Sequence, residues 1–415
     1  VLELFPLSAR SDDGELSLGG VPVSRLANQY GTPLVVYCEE TLRAQARAYR
    51  KAAPDALIVY GTKAFANVAI LRILAEEGIG ADVSTLGELA FAREAGIGGE
   101  RIIFHGNNKS DEELFAAGEA GATVVLDATD EPERAAEVGV QRVLVRLTPG
   151  VEAVTHQAIA TAHDESKFGL GADDALAAID AARGLGLNVT GIHFHVGSQL
   201  QQIDESLVAV DRLAAFCDRA AAEIGWTPAV IDLGGGLGVR HNRDDHPPDV
   251  EAWVRALVAR LRERHPEPAT VVFEPGRSLV GRAGVSLYRV GVVKDSGGVS
   301  YAAIDGGMSD NPRPQLYGAR YEALLAGRAD ELATGVYRVA GKHCESGDVL
   351  IDAAELPRPE RGDLLAVPAT GAYTLSLSSN YNGVPRPAVV LVGGGAATII
   401  RRREAVEDLL RFEEG

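Results

Sequence analysis

The stretch LIVYGTK, residues 57–63, is a short apolar run that ends abruptly in glycine, threonine and lysine. That is the form of a buried parallel strand whose carboxyl end opens into a loop. Working outward, the same form recurs at 80–83, 101–104, 122–126, 142–147, 191–195, 230–233 and 271–274, with Ala/Leu/Glu/Arg-rich stretches between. Counted with 57–60, these are eight strands, the number that closes a parallel (β/α) barrel of the TIM type. The intervening stretches read as helices: Thr85 with Glu88 predicts a capping box ahead of Leu89, and Gly96 predicts the stop.

Beyond residue 280 the runs 285–293, 299–304, 336–340, 348–351 and 388–392 follow without helices between them. They predict a second, all-β domain, a sandwich or small barrel, which the short strand-like segments of the amino terminus join. The expected division is a barrel over 33–280 and a β domain from 1–32 with 281–415.

Composition narrows the function. The 415 residues are 46% hydrophobic and 24% charged, enough to bury a large core. A net charge of -18 with no basic stripe makes nucleic acid and anionic membrane poor partners. Three cysteines, Cys38, Cys217 and Cys344, lie far apart and outside any CxxC spacing, so neither a disulfide framework nor a zinc site is expected. No apolar run approaches the roughly 18 residues of a membrane helix, and the first ten residues lack the form of an export signal. A cytoplasmic location is expected.

In such barrels chemistry collects at the carboxyl ends of the strands. Those ends carry Lys63, Asp82 with Ser84, His105, Arg146, His193 with His195 and Ser198, the glycines 234–236, and Glu274 with Pro275, Gly276 and Arg277. Lysine is scarce in this chain, and a partly buried ammonium, unlike a guanidinium, loses its proton and attacks an aldehyde. The three glycines let backbone N–H groups approach an anion. Glu274 and Arg277 suit a protonated ring nitrogen and a phosphate or carboxylate, against the plain alternative of an ion pair. His193 and His195 alternate along one strand and invite a metal reading. No second histidine cluster with carboxylates follows in sequence, and a flat imidazole stacked on a planar cofactor fits His195 better, so no metal is expected.

Together YGTKAF around Lys63, HFHVGS around His195, GGG at Gly234 and EPGR at Glu274 resemble the fold-type III pyridoxal-phosphate decarboxylases, which have an alanine racemase-like barrel. RPQLYGA from Arg313, CESGD from Cys344 and TGAYTLSLSSNYNGVPRP from Thr370 are similar to the diaminopimelate decarboxylase branch. The resemblance implies pyridoxal 5'-phosphate as cofactor and conversion of meso-2,6-diaminopimelate to L-lysine and carbon dioxide, the last step of lysine biosynthesis. It also implies that Lys63 binds the cofactor aldehyde and that His195 stacks on the ring. Ser198, Gly235, Gly236, Glu274, Pro275, Gly276, Arg277 and Tyr373 would complete the cofactor site, and Arg277, Arg313, Tyr317, Glu345 and Tyr373 would contact the substrate. Cys344 would be the proton donor, reaching the site from the second subunit of a homodimer with shared active sites.

No role is assigned to Asp82, Ser84, His105, Arg146 or His193. The chain departs from the usual pattern at Ala158 and Val384. Rivals are a relative acting on ornithine, lysine, arginine or carboxynorspermidine, an alanine racemase, a noncatalytic cofactor-binding protein of the same fold, and a metal-dependent hydrolase.

Overall fold

Eight parallel strands close a barrel: β1 (Leu57–Gly61), β2 (Gly80–Val83), β3 (Ile102–Phe104), β4 (Thr123–Leu126), β5 (Arg142–Leu147), β6 (Asn188–Phe194), β7 (Val230–Asp232) and β8 (Thr270–Phe273). Strand β8 returns to β1 through the pair Val272↔Leu57. This computed structural model describes residues 1–148, 167–195, 197–265 and 269–414, so Ala158 lies outside the described residues. The eight expected barrel strands form, with ends displaced by at most three residues.

Polar side chains start the surrounding helices. Asn67 accepts from the backbone N–H of Ala69 and Ile70, and Ser110 with Glu113 makes a complete capping box. The box expected at Thr85 forms only by half. Thr85 Oγ1 accepts from Glu88 N at 3.2 Å, but the Glu88 carboxylate reaches one residue further back and accepts from Ser84 N at 2.7 Å. That bond supplies an acceptor to an N–H just past the end of β2. Gly96, at φ +82°, ends the helix as expected.

Inside the barrel, strand periodicity stacks two layers. Val59, Ile103, Val125, Leu144 and Val272 form a buried apolar cluster, with Val230 packed on it. Because side chains alternate, the residues two further along face the same way. These are Gly61, His105, Asp127, Arg146, Glu274 and Asp232. Asp82, in register with Gly61, and His193, in register with both Arg146 and Asp232, complete this polar layer.

The chain divides into two units. The barrel occupies Gln45–Gly238 and Pro247–Ser278, and the other unit comprises Val1–Ala44, Val239–His246 and Leu279–Gly415. That second unit is built on a nine-stranded mixed sheet whose long strand Gly284–Ser296 pairs with Leu34–Cys38, Leu364–Val367 and Val299–Ile304. Leu34–Cys38 lies inside the stretch 33–280 expected for the barrel, yet all five residues are buried in this sheet. A wholly apolar run looks the same in either setting, and only its partners, Gly284–Ser296 and Ala388–Gly393, decide.

The first residues do join this unit, but as a separate three-stranded sheet that contributes Leu16, Leu18 and Val21 to a core shared with Val36, Leu287 and Val390. The unit is not purely β. Val23–Tyr30 is a helix that buries Val23, Leu26 and Ala27, the i, i+3, i+4 spacing of one helical face. Short helices also occur at Arg313–Tyr317 and Val406–Leu410. Among the described residues no helix is long and apolar enough to cross a membrane.

Candidate active site

The polar layer centres on Glu274, which follows β8. Its Oε1 lies 2.6 Å from His105 Nε2 and its Oε2 lies 3.2 Å from His193 Nε2, all three residues being buried. The two imidazoles meet edge to face at 4.7 Å. Burial pushes His193 down to about 3, against the pull of Glu274, so it is a neutral N–H donor to the carboxylate. Burial works to raise Glu274, but His105 and His193 overcome it and hold the carboxyl well below its usual range. Asp82 and Asp232 behave oppositely, both being raised by burial first and further by the charge of Glu274. Of these three carboxyls, Glu274 is the one whose surroundings favour the anion.

His105, His193, Asp232 and Glu274 bring donor atoms within 4.8 Å of one another, a clustering that the spacing along the sequence conceals. It differs from the metal reading that paired His193 with His195. The Nε2 atoms of His105 and His193 are engaged by Glu274, and His195 is outside the group. His195 follows the end of β6 and turns to the glycine loop, where its Nδ1 accepts from Gly235 N at 3.4 Å. Burial, then the charges of Lys63 and Arg146, hold this imidazole well below its usual range, so it too is neutral.

The loop after β7 needs its glycines. A Cβ on Gly235 would stand 2.3 Å from the Glu274 carbonyl oxygen, and one on Gly236, at φ +117°, would stand 2.6 Å from the Gly197 carbonyl oxygen. Arg277 Nη2 donates to Ser198 Oγ at 3.0 Å. Gly61 N donates to Pro275 O at 3.2 Å, which brings the Pro275–Gly276 backbone against the end of β1. Lys63 is exposed in the helical turn Thr62–Ala64, next to Thr62, whose buried hydroxyl donates to Asp82 O. Thus Lys63, His195, Ser198, Gly235, Gly236, Glu274, Pro275, Gly276 and Arg277 all stand at the carboxyl ends of β1, β6, β7 and β8.

The remaining candidates belong to the second unit. Arg313 is buried and its Nη1 donates to His241 Nε2 at 2.9 Å and Tyr321 Oη at 2.6 Å, while its Nε has no hydrogen-bond partner. No acidic side chain pairs with it among the described residues. Tyr317 and Cys344 are exposed, as is Glu345, whose carboxylate accepts from Gly347 N. The loop at Cys344 is less open than its polarity suggests, because His343 and Asp348 are buried in a 2.6 Å pair. Tyr373 is half-buried with φ +58°, a strained backbone for a bulky residue. Val384 O accepts from Asn380 Nδ2, and Arg386 pairs with Glu404.

Sequence reasoning passed over Asp232, Asp127, His241 and Tyr321. The two aspartates were detectable as the residues two beyond Val230 and Val125. Nothing in the sequence links His241 to Arg313, 72 residues away.

Residues 39–281 match the family described as "Pyridoxal-dependent decarboxylase, pyridoxal binding domain". A diaminopimelate decarboxylase of Actinosynnema pretiosum subsp. auranticum is 45% identical over 99% of this chain and 95% of its own length. That of Bacillus subtilis (strain 168) is 40% identical over 99% and 98%. Among solved structures, diaminopimelate decarboxylase from M. jannaschii in co-complex with L-lysine superposes with a TM-score of 0.92 at 32% identity, covering 97% of each chain. On both sequence and fold, this chain belongs to the diaminopimelate decarboxylases, within the pyridoxal-dependent decarboxylase family.

Proposed function

We propose that this protein is a pyridoxal 5'-phosphate-dependent enzyme that decarboxylates meso-2,6-diaminopimelate to L-lysine and carbon dioxide. The barrel end fits the cofactor on three counts. Gly235 and Gly236 leave a cradle that a Cβ would fill, a neutral imidazole is fixed at His195, and Glu274 is a buried carboxylate held ionised. Pyridoxal phosphate, when bound, supplies a sink for the electron pair that carbon dioxide leaves behind.

The chain's own residues do the rest. Lys63 offers the amine that holds the cofactor's aldehyde carbon. Glu274, oriented by His105 and His193, would keep the ring nitrogen protonated, and His195 would supply a flat imidazole to the ring. Ser198, Gly235, Gly236, Gly276 and Arg277 take the phosphate, beside Pro275, and Tyr373 closes the pocket. Cys344 delivers a proton to the carbon that lost its carboxylate.

The observation that carries the substrate is Arg313, a buried guanidinium with no acid to neutralise it among the described residues. Such a cation calls for an anionic ligand group, and the distal carboxylate of diaminopimelate is one. Arg277 assists it, Glu345 receives the distal ammonium, and Tyr317 lines the same end. A simple diamine-forming substrate would leave Arg313 facing nothing. The working unit in this reading is a homodimer in the cytoplasm, with Cys344 of each subunit completing the other's site.

Incubating the protein and pyridoxal phosphate separately with meso-diaminopimelate, ornithine, lysine and arginine, and measuring carbon dioxide and product, tests this reading. Release of carbon dioxide from diaminopimelate with formation of lysine is expected. Faster turnover of any of the other three would sink it.

A further inference from the structure

Asp232 ends β7 with no exposed surface. Its Oδ1 accepts from Gly234 N at 2.8 Å, so the residue starts the glycine turn. Its Oδ2 is buried and receives no hydrogen bond from any donor. The group that Asp232 faces is the Glu274 carboxylate, and both sit in the cluster of four residues whose polar atoms lie within 4.8 Å. Around them stand Lys63 after β1, Asp82 on β2, His105 after β3, Arg146 on β5 and His193 on β6, all reached by the field of Asp82, Glu274 or His193. As an anion, Asp232 would hold an unsatisfied oxygen against a second buried carboxylate, an arrangement that two like charges in a dry site do not sustain.

We propose that Asp232 is a neutral carboxylic acid whose Oδ2 hydroxyl donates to Glu274, as a third donor beside His105 and His193. One proton then satisfies the empty oxygen of Asp232 and fills the third of roughly four acceptor sites of Glu274, leaving one for the ring nitrogen. The direction of its acidity agrees: burial, and then the charge of Glu274, push Asp232 well above the usual carboxyl range. Asp232 is thus a positioning residue. It adds no charge to the site and fixes the carboxylate that does. The consequence for catalysis rests on the assignment of Glu274 to the ring nitrogen; the protonation itself does not.

The test begins without cofactor. Infrared spectra of stripped protein carrying 13C-labelled aspartate carboxyls should show, at neutral pH, a protonated-acid carbonyl band. Asp232→Asn should lose a component of that band which Asp82→Asn and Asp310→Asn each keep. Absence of a band that depends on Asp232 overturns the proposal. In Glu274→Gln the loss of a neighbouring charge should move the disappearance of that band to lower pH, and an unmoved band overturns the pairing with Glu274.

A second measurement uses cofactor affinity. Asp232→Ala should weaken pyridoxal phosphate binding about tenfold or more, the loss typical of a hydrogen bond to a charged group. Asp232→Asn should recover most of it, since its amide donates to Glu274 while its oxygen still accepts from Gly234. If asparagine is as damaging as alanine, Asp232 acts as an anion and the proposal fails. A protein that shows the band but binds no pyridoxal phosphate would refute the proposed function and leave the Asp232 assignment standing.

Discussion

Tyr321 Oη stands 2.6 Å from Arg313 Nη1 and fixes a buried guanidinium without neutralising it. Arg313→Ala should therefore lose diaminopimelate turnover while the bound cofactor's absorbance stays as it was. Leaving a substrate carboxylate unpaired costs about 2 to 5 kcal/mol, tens to thousands of fold in kcat/KM. Tyr321→Phe should raise KM by a smaller factor, about tenfold or less, since the charge remains and only its anchor goes. An unchanged kcat/KM for Arg313→Ala would reject its role.

Lys63 should be the attachment point of the cofactor. Borohydride reduction of the loaded enzyme followed by peptide mapping should find the pyridoxyl group on residue 63. Finding it on Lys109, whose ammonium is buried against Glu131, would overturn the assignment.

The proposed sharing of active sites between subunits predicts complementation. Lys63→Ala and Cys344→Ala, each inactive alone, should regain about a quarter of full activity after subunit exchange. Random exchange makes roughly half the dimers mixed, and each mixed dimer holds one intact site of two. No recovery despite demonstrated exchange would place both residues in the same subunit's site.

Acid should weaken the fold through His193. Its pKa falls from 6.5 in the unfolded chain to about 3 in the folded one. The unfolded state therefore binds the proton first. Stability is fully present above the ordinary histidine range and falls with decreasing pH by up to about 1.4 kcal/mol per unit. Urea titrations at roughly pH 7, 6 and 5 should show this decline, and His193→Gln should flatten it. Equal slopes in both proteins would contradict it.

Lys109 and Glu131 form a 2.9 Å ion pair with both side chains buried. Lys109→Met should destabilise by about 3 to 5 kcal/mol, because the Glu131 carboxylate is left alone in the interior. The double variant Lys109→Met/Glu131→Gln should recover part of that loss, read as a shift of the denaturant midpoint. A double variant no more stable than the single one would show that the lysine acts through packing alone.

The barrel was legible because eight runs of one type in one order leave few alternatives, and Lys63, the glycines and Glu274 stood at strand ends where polar residues are conspicuous. Leu34–Cys38 was not, since its apolar character is common to both units and only its pairing reveals which it joins. Asp232 hid for a different reason: an aspartate next to the last residue of a short apolar run reads as a solvated end. Only closure of the barrel turns that end inward against Glu274. His241 and Tyr321 escaped because they reach Arg313 from separate segments through contacts no local pattern encodes. The half-formed cap at Thr85 shows the limit of motif matching, since Glu88 had a second backbone N–H within reach.

The two-residue step from Leu144 to Arg146, or from Val272 to Glu274, also restricts how such an enzyme can diversify. Lengthening β5 or β8 by a single residue would rotate Arg146 or Glu274 out of the site and turn a neighbouring side chain inward in its place. Insertions inside these strands are therefore closed as an evolutionary route. New specificities in this lineage must arise from substitutions in place, or from the loops and the second unit, where Arg313 is held by a tyrosine and a histidine that owe nothing to the barrel's periodicity.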